Sequence, residues 1–403
     1  MRIAFVVPGF ASDEDDTCIP VLVDVFKALQ PRADVFVLSL RHPGAALRYR
    51  VHGFDVRALG GGMRTGAKRI PLLVSAVRAL RAEHRRQPFS LVHGLWADEP
   101  GAVAVWAARV LGLPAVVSVM GGEMVALPEI EYGGALSRLN RALTGFALSR
   151  ADVVTAAAGA AADGVRQHLS PEPADRVMRL PFGIDPTIFQ TADPPATLAG
   201  SLRILQVGSL AQVKGWPLLL HAARRARVNV PGLHVHFVGD GPDAGAIIAL
   251  ADTLGMLDSV TLHGPVKRRR LAGYYRASHI LAVTSHHEMQ PVVALEGGLH
   301  GLPVVGTPVG MLVDLAPEAA IVVPPGDVQG LADALASLAR EPERRTKAAA
   351  LRDRVNREFL ADQTAVQLLN LYHRLAQAPR GQTHRRRSRD VTENVVKNVS
   401  QRG

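Results

Sequence analysis

Two glutamates, Glu288 and Glu296, stand with seven residues between them in "SHHEMQPVVALEGG", residues 285–298, a stretch with no lysine or arginine to pair them. The stretch follows "HILAVTS", an apolar run that reads as a strand. Ser285 to Gln290 then form the loop at its carboxyl end, and Pro291 takes the first helical position, where proline is favoured. Backbone amides between Met289 and Val292 would point into a cleft and suit an oxygen-rich ligand. Glu296 falls in the second helical turn, at about 1.5 Å of rise per residue. A carboxylate there can accept bonds from vicinal hydroxyls such as a ribose offers, while Glu288 stands nearer phosphates and a transferred group. Taken singly, each glutamate reads as a solvated or capping carboxylate.

A second set of residues points to the same chemistry. In "QVGSLAQVKGWPLLLHAA" a strand ends at Gly208, a loop carries Lys214 and Gly215, and a helix follows. Glycine permits close backbone approach, a helix N-terminus favours anions, and lysine adds a mobile positive charge. This is a phosphate-binding arrangement, though not a Walker loop, because G-x-x-x-x-G-K-[ST] is absent. "FVGDGPDAG" repeats the theme with Gly239 and Gly241 flanking Asp240, and "VTLHGPV" adds His263 and Gly264, the histidine suited to a base or a phosphate. The bland alternatives are a surface lysine, a tight turn and a loop histidine.

Parallel sheets are the elements that could position these residues. Strand candidates in the first half are "RIAFVVP", "DVFVLSL", "SLVHGLW", "AVVSVMG", "DVVTAAA" and "VMRLPFG", with helical patterns such as "KRIPLLVSAVRALRAEHRR" between them. After "QTADPPATLAGS", which reads as a linker, the alternation restarts with "LRILQVGSL", "LHVHFVGDG", "VTLHGPV", "HILAVTS", "PVVGTPVG" and "AAIVVPP". Apolar strands alternating with helices imply parallel sheets covered on both faces. The fold class is therefore α/β, with two Rossmann-like domains facing a central cleft and ligands at the carboxyl ends of the strands. We expect a first domain over 1–188, a linker over 189–200, a donor domain over 201–360, a C-terminal helix over 361–378 and a basic tail over 379–403.

The motifs "VGSL", "KG", "FVGDGP", "VTLHGPV", "SHHEMQPVVALEGGLHGLPVVGTPVG" and "IVVPPGD", in that order, resemble the retaining GT-B glycosyltransferases of family 4. The resemblance covers about residues 201–340, and "LPFGIDPTIF" is similar to the family's entry into its second domain. It implies transfer of a sugar from a nucleotide diphosphate sugar to a hydroxyl with retention, Lys214 on the phosphates, Glu296 on the ribose, and Glu288 with Met289, Gln290, Pro291 and Val292 at the sugar and diphosphate. Ser209 stands where such enzymes carry an arginine, "PGFASDEDDT" replaces the usual glycine pair, and Met120 matches a histidine near the sugar. Rival readings are a nucleotide-sugar epimerase and a nucleotide-sugar binding protein without turnover.

The acceptor falls to the first domain. His93 in "VHGLWADEP", Asp98, Glu99, and Gly121, Gly122 and Glu123 in "MGGEM" sit at strand ends on the cleft. Each carboxylate can orient an acceptor hydroxyl or cap the following helix. Asp13 and Asp15 form a D-x-D without nucleotide-binding context, and His286 and His287 are adjacent residues that diverge, so no metal and no cofactor are expected.

Net charge is +10, and the tail "RGQTHRRRSRDVTENVVKNVSQRG" supplies much of it without apolar periodicity. No specific nucleic-acid motif accompanies it. The single cysteine, Cys18, excludes an internal disulfide, and the N-terminus reads as a first strand and not a signal peptide. These features fit a cytoplasmic protein. Apolar Ile70, Leu73, Val77 and Leu80 against Lys68, Arg69, Arg81 and Arg85 fit a surface helix packed on its sheet, or one resting on an anionic inner membrane face beside a lipid-linked acceptor.

Overall fold

The computed structural model describes residues 1–377 apart from 17, 64–65, 170–175 and 190–199. Most of the expected linker and the whole basic tail lie outside the described residues.

All twelve strand candidates form strands, in two sheets. The first sheet holds β1 (Arg2–Gly9), β2 (Asp34–His42), β3 (Ala46–Val51), β4 (Phe54–Leu59), β5 (Leu91–Leu95), β6 (Ala115–Val119), β7 (Val153–Ala156) and β8 (Val177–Arg179). Its order is β3-β4-β2-β1-β5-β6-β7-β8. Every pairing is parallel except that of β3 with β4. The second sheet holds β9 (Leu202–Val207), β10 (Leu233–Val238), β11 (Val260–Leu262), β12 (Ile280–Val283), β13 (Val304–Gly306) and β14 (Ala320–Val322). It is wholly parallel, in the order β11-β10-β9-β12-β13-β14.

Strands β3 and β4 are additional to the sequence reading. They form a hairpin at the sheet edge, turning through His52 and Gly53, both with positive φ. Such a turn matches the twist of paired strands. Arg48 and Arg50 interrupt the apolar run in β3, whose residues are mostly exposed, so the strand carries no buried-strand pattern.

Central strands are apolar on both faces because helices cover both; β5 and β6 are buried along their whole length. The helix Ile70–Arg86 turns Leu73, Val77 and Leu80 into the first domain's core and leaves Ile70 53% exposed. Its apolar stripe is thus occupied by its own sheet, as an ordinary surface helix requires. Among the described residues, no helix is long and apolar enough to cross a membrane.

The chain crosses between the domains twice, and the crossings are bonded together. Ile184 and Leu360 form a parallel bridge, with the Ile184 amide donating to the Phe359 carbonyl at 3.0 Å and the Ala361 amide to Ile184 at 3.0 Å. The last helix, Ala361–Gln377, then packs on the first domain, placing Ala365, Leu368, Leu371 and Tyr372 among Ile3, Phe5 and Phe26. Replacing fully buried Tyr372 with alanine should cost about 3–5 kcal/mol in chemical denaturation. A cost below about 1 kcal/mol would mean that this helix is not part of the first domain's core.

Candidate active site

In an open parallel sheet the ligand crevice opens where strand order reverses, because neighbouring loops there turn to opposite faces. In the second sheet that point lies between β9 and β12. The loop after β9 carries Lys214 and the loop after β12 carries Glu288. Their side chains meet: Lys214 Nζ lies 2.5 Å from Glu288 Oε1, which also accepts from Ser285 Oγ at 2.9 Å. The two side chains are 25% and 17% exposed, so the pair stays reachable from the cleft.

Close backbone contact fixes this geometry. Gly215 has φ +61, and a Cβ on it would lie 1.9 Å from the Thr284 carbonyl oxygen. Only glycine lets the Lys214 loop lie against the end of β12. Thr284 Oγ1 donates to the Gly215 carbonyl at 3.0 Å, Gln206 Nε2 to the Lys214 carbonyl at 2.8 Å, and the His286 amide to Val213 at 2.8 Å.

The glycine turns play a different part from the one the sequence suggests. The Gly208 amide donates to Val238 at 3.0 Å and the Gly239 amide to Gly264 at 2.9 Å. A Cβ on Gly239, at φ +145, would lie 1.8 Å from Gly208 oxygen. Gly208, Gly239 and Gly264 therefore hold neighbouring strand ends together, and the first two amides are spent on that. The Gly241 amide donates to Asp240 at 2.8 Å. Ser209 is exposed beside the Lys214 loop. His263 lies 3.0 Å from His236 and stands edge-on to Tyr274, at the edge strand β11 and away from the reversal point.

Neither glutamate lacks a basic partner; the partners come from other elements. Glu296 is 4% exposed and accepts from Arg268 Nε at 2.9 Å and from Tyr275 Oη at 2.7 Å. Arg268 also grips Asp24 of the first domain with both terminal nitrogens, at 2.8 and 2.7 Å. Burial opposes the charge on this guanidinium, but Glu296 and Asp24 outweigh it and hold its pKa above the usual value. Glu296 is therefore set inside an interdomain ion cluster, with each oxygen already accepting one bond. Asp24, Arg268 and Tyr275 were not singled out from the sequence. The available signal was a lone carboxylate in the apolar helix "PVLVDVF" and the run "KRRR" after β11.

The loop after β12 also reaches the first domain. The Phe182 amide donates to Gln290 Oε1 at 2.9 Å and Gln290 Nε2 donates to Phe182 oxygen at 2.5 Å. Met289 is buried in the first domain's core cluster. Both side chains thus clamp the domains, which leaves backbone amides as this segment's means of reaching a ligand. Pro291 caps the helix Val292–Leu299 and precedes its first residue by one.

Three first-domain assignments change. His93 points into the sheet's covered face, not out of the strand end, with Nδ1 2.7 Å from Tyr372 Oη and Nε2 2.8 Å from Ser118 Oγ. Complete burial lowers its pKa to about 3, so it stays neutral and serves the core. Buried Glu99 is gripped by Arg41 at 2.7 and 2.9 Å and by Arg69 at 2.5 Å. Buried Glu123 accepts from the amides of Ala97, Met120 and Gly121 at 3.0, 3.0 and 2.6 Å. Glu99 and Glu123 therefore organise the loops around the cleft. Gly121 and Gly122 lie in the loop that Glu123 holds, and Gly121 oxygen comes 3.4 Å from His287 Nε2, next to Glu288. Met120 packs partly buried against the core.

Asp98 is the first-domain carboxylate that retains a site-like setting. It follows Trp96, held at φ +77, at the first sheet's own reversal point between β1 and β5. Burial pushes its carboxyl up to about 6, reinforced by the charges of Glu123 and Glu99. Asp13 accepts from the Asp15 amide, and Asp15 pairs with Lys267 at 2.7 Å. Among the described residues no group of three or more His, Cys, Asp or Glu could hold a metal ion.

Two Rossmann-like domains whose strand ends share one cleft define the GT-B architecture. Residues 201–341 match the model for glycosyl transferases group 1, and residues 19–183 match the glycosyl transferase 4-like domain. The chain belongs to the group 1 glycosyltransferases. It is 29% identical over 371 residues to a D-inositol 3-phosphate glycosyltransferase of Frankia alni, covering 79% of this chain and 88% of that one. A protein of the same name from Xylanimonas cellulosilytica is 32% identical over 216 residues, 49% of this chain, and the match spans about half of that relative, 51%. In fold it is similar to a sucrose-phosphate synthase from Thermosynechococcus elongatus, with TM-score 0.78 and 21% identity over 93% of this chain and 98% of that one. It is also similar to Anabaena HepE in complex with UDP and glucose, with TM-score 0.72 and 18% identity over 93% and 100%.

The raised Asp98 pKa carries a stability signature. The folded carboxyl binds its proton more tightly than the ordinary value of 3.8 allows. Protonation therefore stabilises the fold below that value, and the benefit is lost as pH rises through about 6. Asp98→Asn should be more stable than the parent by about 2 kcal/mol at pH 8, with the difference vanishing near pH 4. Equal stability at both pH values in urea titrations would contradict the setting described for Asp98.

Proposed function

We propose that the protein moves a sugar from a nucleotide diphosphate sugar to an acceptor hydroxyl in the interdomain cleft, with retention of anomeric configuration and without a metal ion. The observation that carries this reading is the reachable Lys214–Glu288 pair at the second sheet's reversal point. The UDP in the Anabaena neighbour supports a nucleotide-sugar donor.

As the bond from the anomeric carbon to the phosphate oxygen breaks, negative charge grows on the departing diphosphate. Lys214 and the amides between Met289 and Val292 offset that charge in a site from which domain closure excludes water. Without ligand, Lys214 is neutralised by Glu288, so a diphosphate must compete with that carboxylate for it. Glu288, once displaced, keeps Ser285 as a partner and can accept bonds from sugar hydroxyls. Retention requires the acceptor to attack on the face the diphosphate leaves, which makes the leaving phosphate oxygen the natural recipient of the acceptor's proton. Asp98 and the loop held by Glu123 form the acceptor side. The inositol 3-phosphate in the relatives' names supports an anionic acceptor hydroxyl compound.

Glu288→Gln tests this competition, because it frees Lys214 for the diphosphate while removing the sugar's partner. Titration with the cognate nucleoside diphosphate should show tighter binding by roughly tenfold, while kcat for transfer falls at least about a hundredfold. Transfer by the parent should survive a chelator unchanged. Weaker nucleotide binding in Glu288→Gln, or transfer abolished by the chelator, would overturn the mechanism. Product formation without acceptor would favour an epimerase, and donor binding with neither transfer nor hydrolysis would favour a binding protein.

A further inference from the structure

A cavity of about 390 Å³ opens at the hinge, away from the Lys214–Glu288 pair, lined by Pro186, Phe189, Arg276, Leu299, His300 and Arg352. Its composition is unusual for a gap between helices. Arg276 and Arg352 are both exposed on it, and among the described residues neither has a carboxylate partner. Pro186, Phe189 and Leu299 supply an apolar wall. His300 completes the lining and is held in place: its Nδ1 lies 2.7 Å from Glu296 oxygen, and its ring stacks on Tyr275 with centroids 5.3 Å apart.

We propose that this cavity binds a small phosphomonoester with a ring-sized body, a sugar phosphate being its simplest form. Two guanidinium groups carry about the charge of a phosphate dianion, which is −1.5 to −2 near neutral pH. Their planar forks donate paired N–H groups to phosphate oxygens. A carboxylate would leave one of the two cations unmatched. The body of the ligand covers Phe189 and Leu299, as polar-edged rings do on apolar walls. The volume lies near the lower end of small-ligand pockets, too small for a nucleotide sugar. The site is lined by His300, which stacks on Tyr275 and bonds the Glu296 backbone carbonyl, and by Pro186 and Phe189 of the segment entering the second domain, so its occupant sits against the hinge itself.

Calorimetric titration of the full chain with glucose 6-phosphate and with inorganic phosphate, at constant ionic strength, tests the proposal. Glucose 6-phosphate should bind more tightly than inorganic phosphate, and Arg276→Gln/Arg352→Gln should weaken it at least about tenfold. Arg81→Gln/Arg85→Gln, which removes the same charge from the first domain's surface helix, should bind like the parent, as should Lys214→Ala. Both hinge arginines are exposed, so the double variant should keep the parent's melting temperature. No binding by the parent overturns the proposal. So does binding that survives in the hinge variant, binding lost in Lys214→Ala or in the surface-helix control, or equal affinity for the two ligands.

Discussion

A buried arginine shared between two domains is the interaction on which the arrangement of this protein most depends. Arg268 comes from the second domain, its side chain only 10% exposed, and it bonds Asp24 of the first domain and Glu296 of its own. Removing one partner of such a cluster typically costs about 3–5 kcal/mol, because a buried charge is then uncompensated. Desolvation makes the cluster a poor source of net stability but a stringent condition on geometry. The domains can meet only where Asp24, Arg268 and Glu296 satisfy one another. Gln290 on Phe182, Met289 in the first domain's core and the bonded crossing at Ile184 and Leu360 are consistent with that one placement.

The same placement decides what the two glutamates do. Glu288 stays at the rim of the cleft with Lys214, a pair that a charged ligand can reorganise. Glu296 is held from behind by Arg268 and Tyr275, so its orientation is set before any ligand arrives. Preorganised carboxylates of this kind lose little freedom on binding hydroxyls, whereas a mobile one would have to be ordered first. The two carboxylates thus divide between a fixed anchor and an exchangeable partner.

Much of this was legible in the sequence, because its period and punctuation encode it. Apolar runs between helices marked twelve of the fourteen strands and the loops carrying Lys214 and Glu288 at their ends, while the strand order that brings those two loops to one crevice is visible only in the structure. The edge hairpin β3–β4 was not legible, since Arg48 and Arg50 replace the apolar signal that burial would impose. Nor were the partners of the buried charges, which depend on tertiary approach: Arg268 lies 244 residues from Asp24. His93 illustrates the remaining gap. Its strand-end position suggested the cleft, but side chains alternate along a strand, and this one faces Tyr372 from a helix 279 residues away. Glu99 and Glu123 were similarly placed near the cleft by sequence, yet arginines and amides claim them.

The most direct test of the central claim, that the crevice between β9 and β12 holds a nucleoside diphosphate on Lys214, is a calorimetric titration with UDP, GDP and ADP. It should be run on the parent and on Lys214→Ala, with melting temperatures confirming that both are folded. One nucleotide should bind selectively, and the variant should bind it at least about tenfold more weakly. Binding of none of the three by the folded parent, or equal affinity in the variant, would contradict the account.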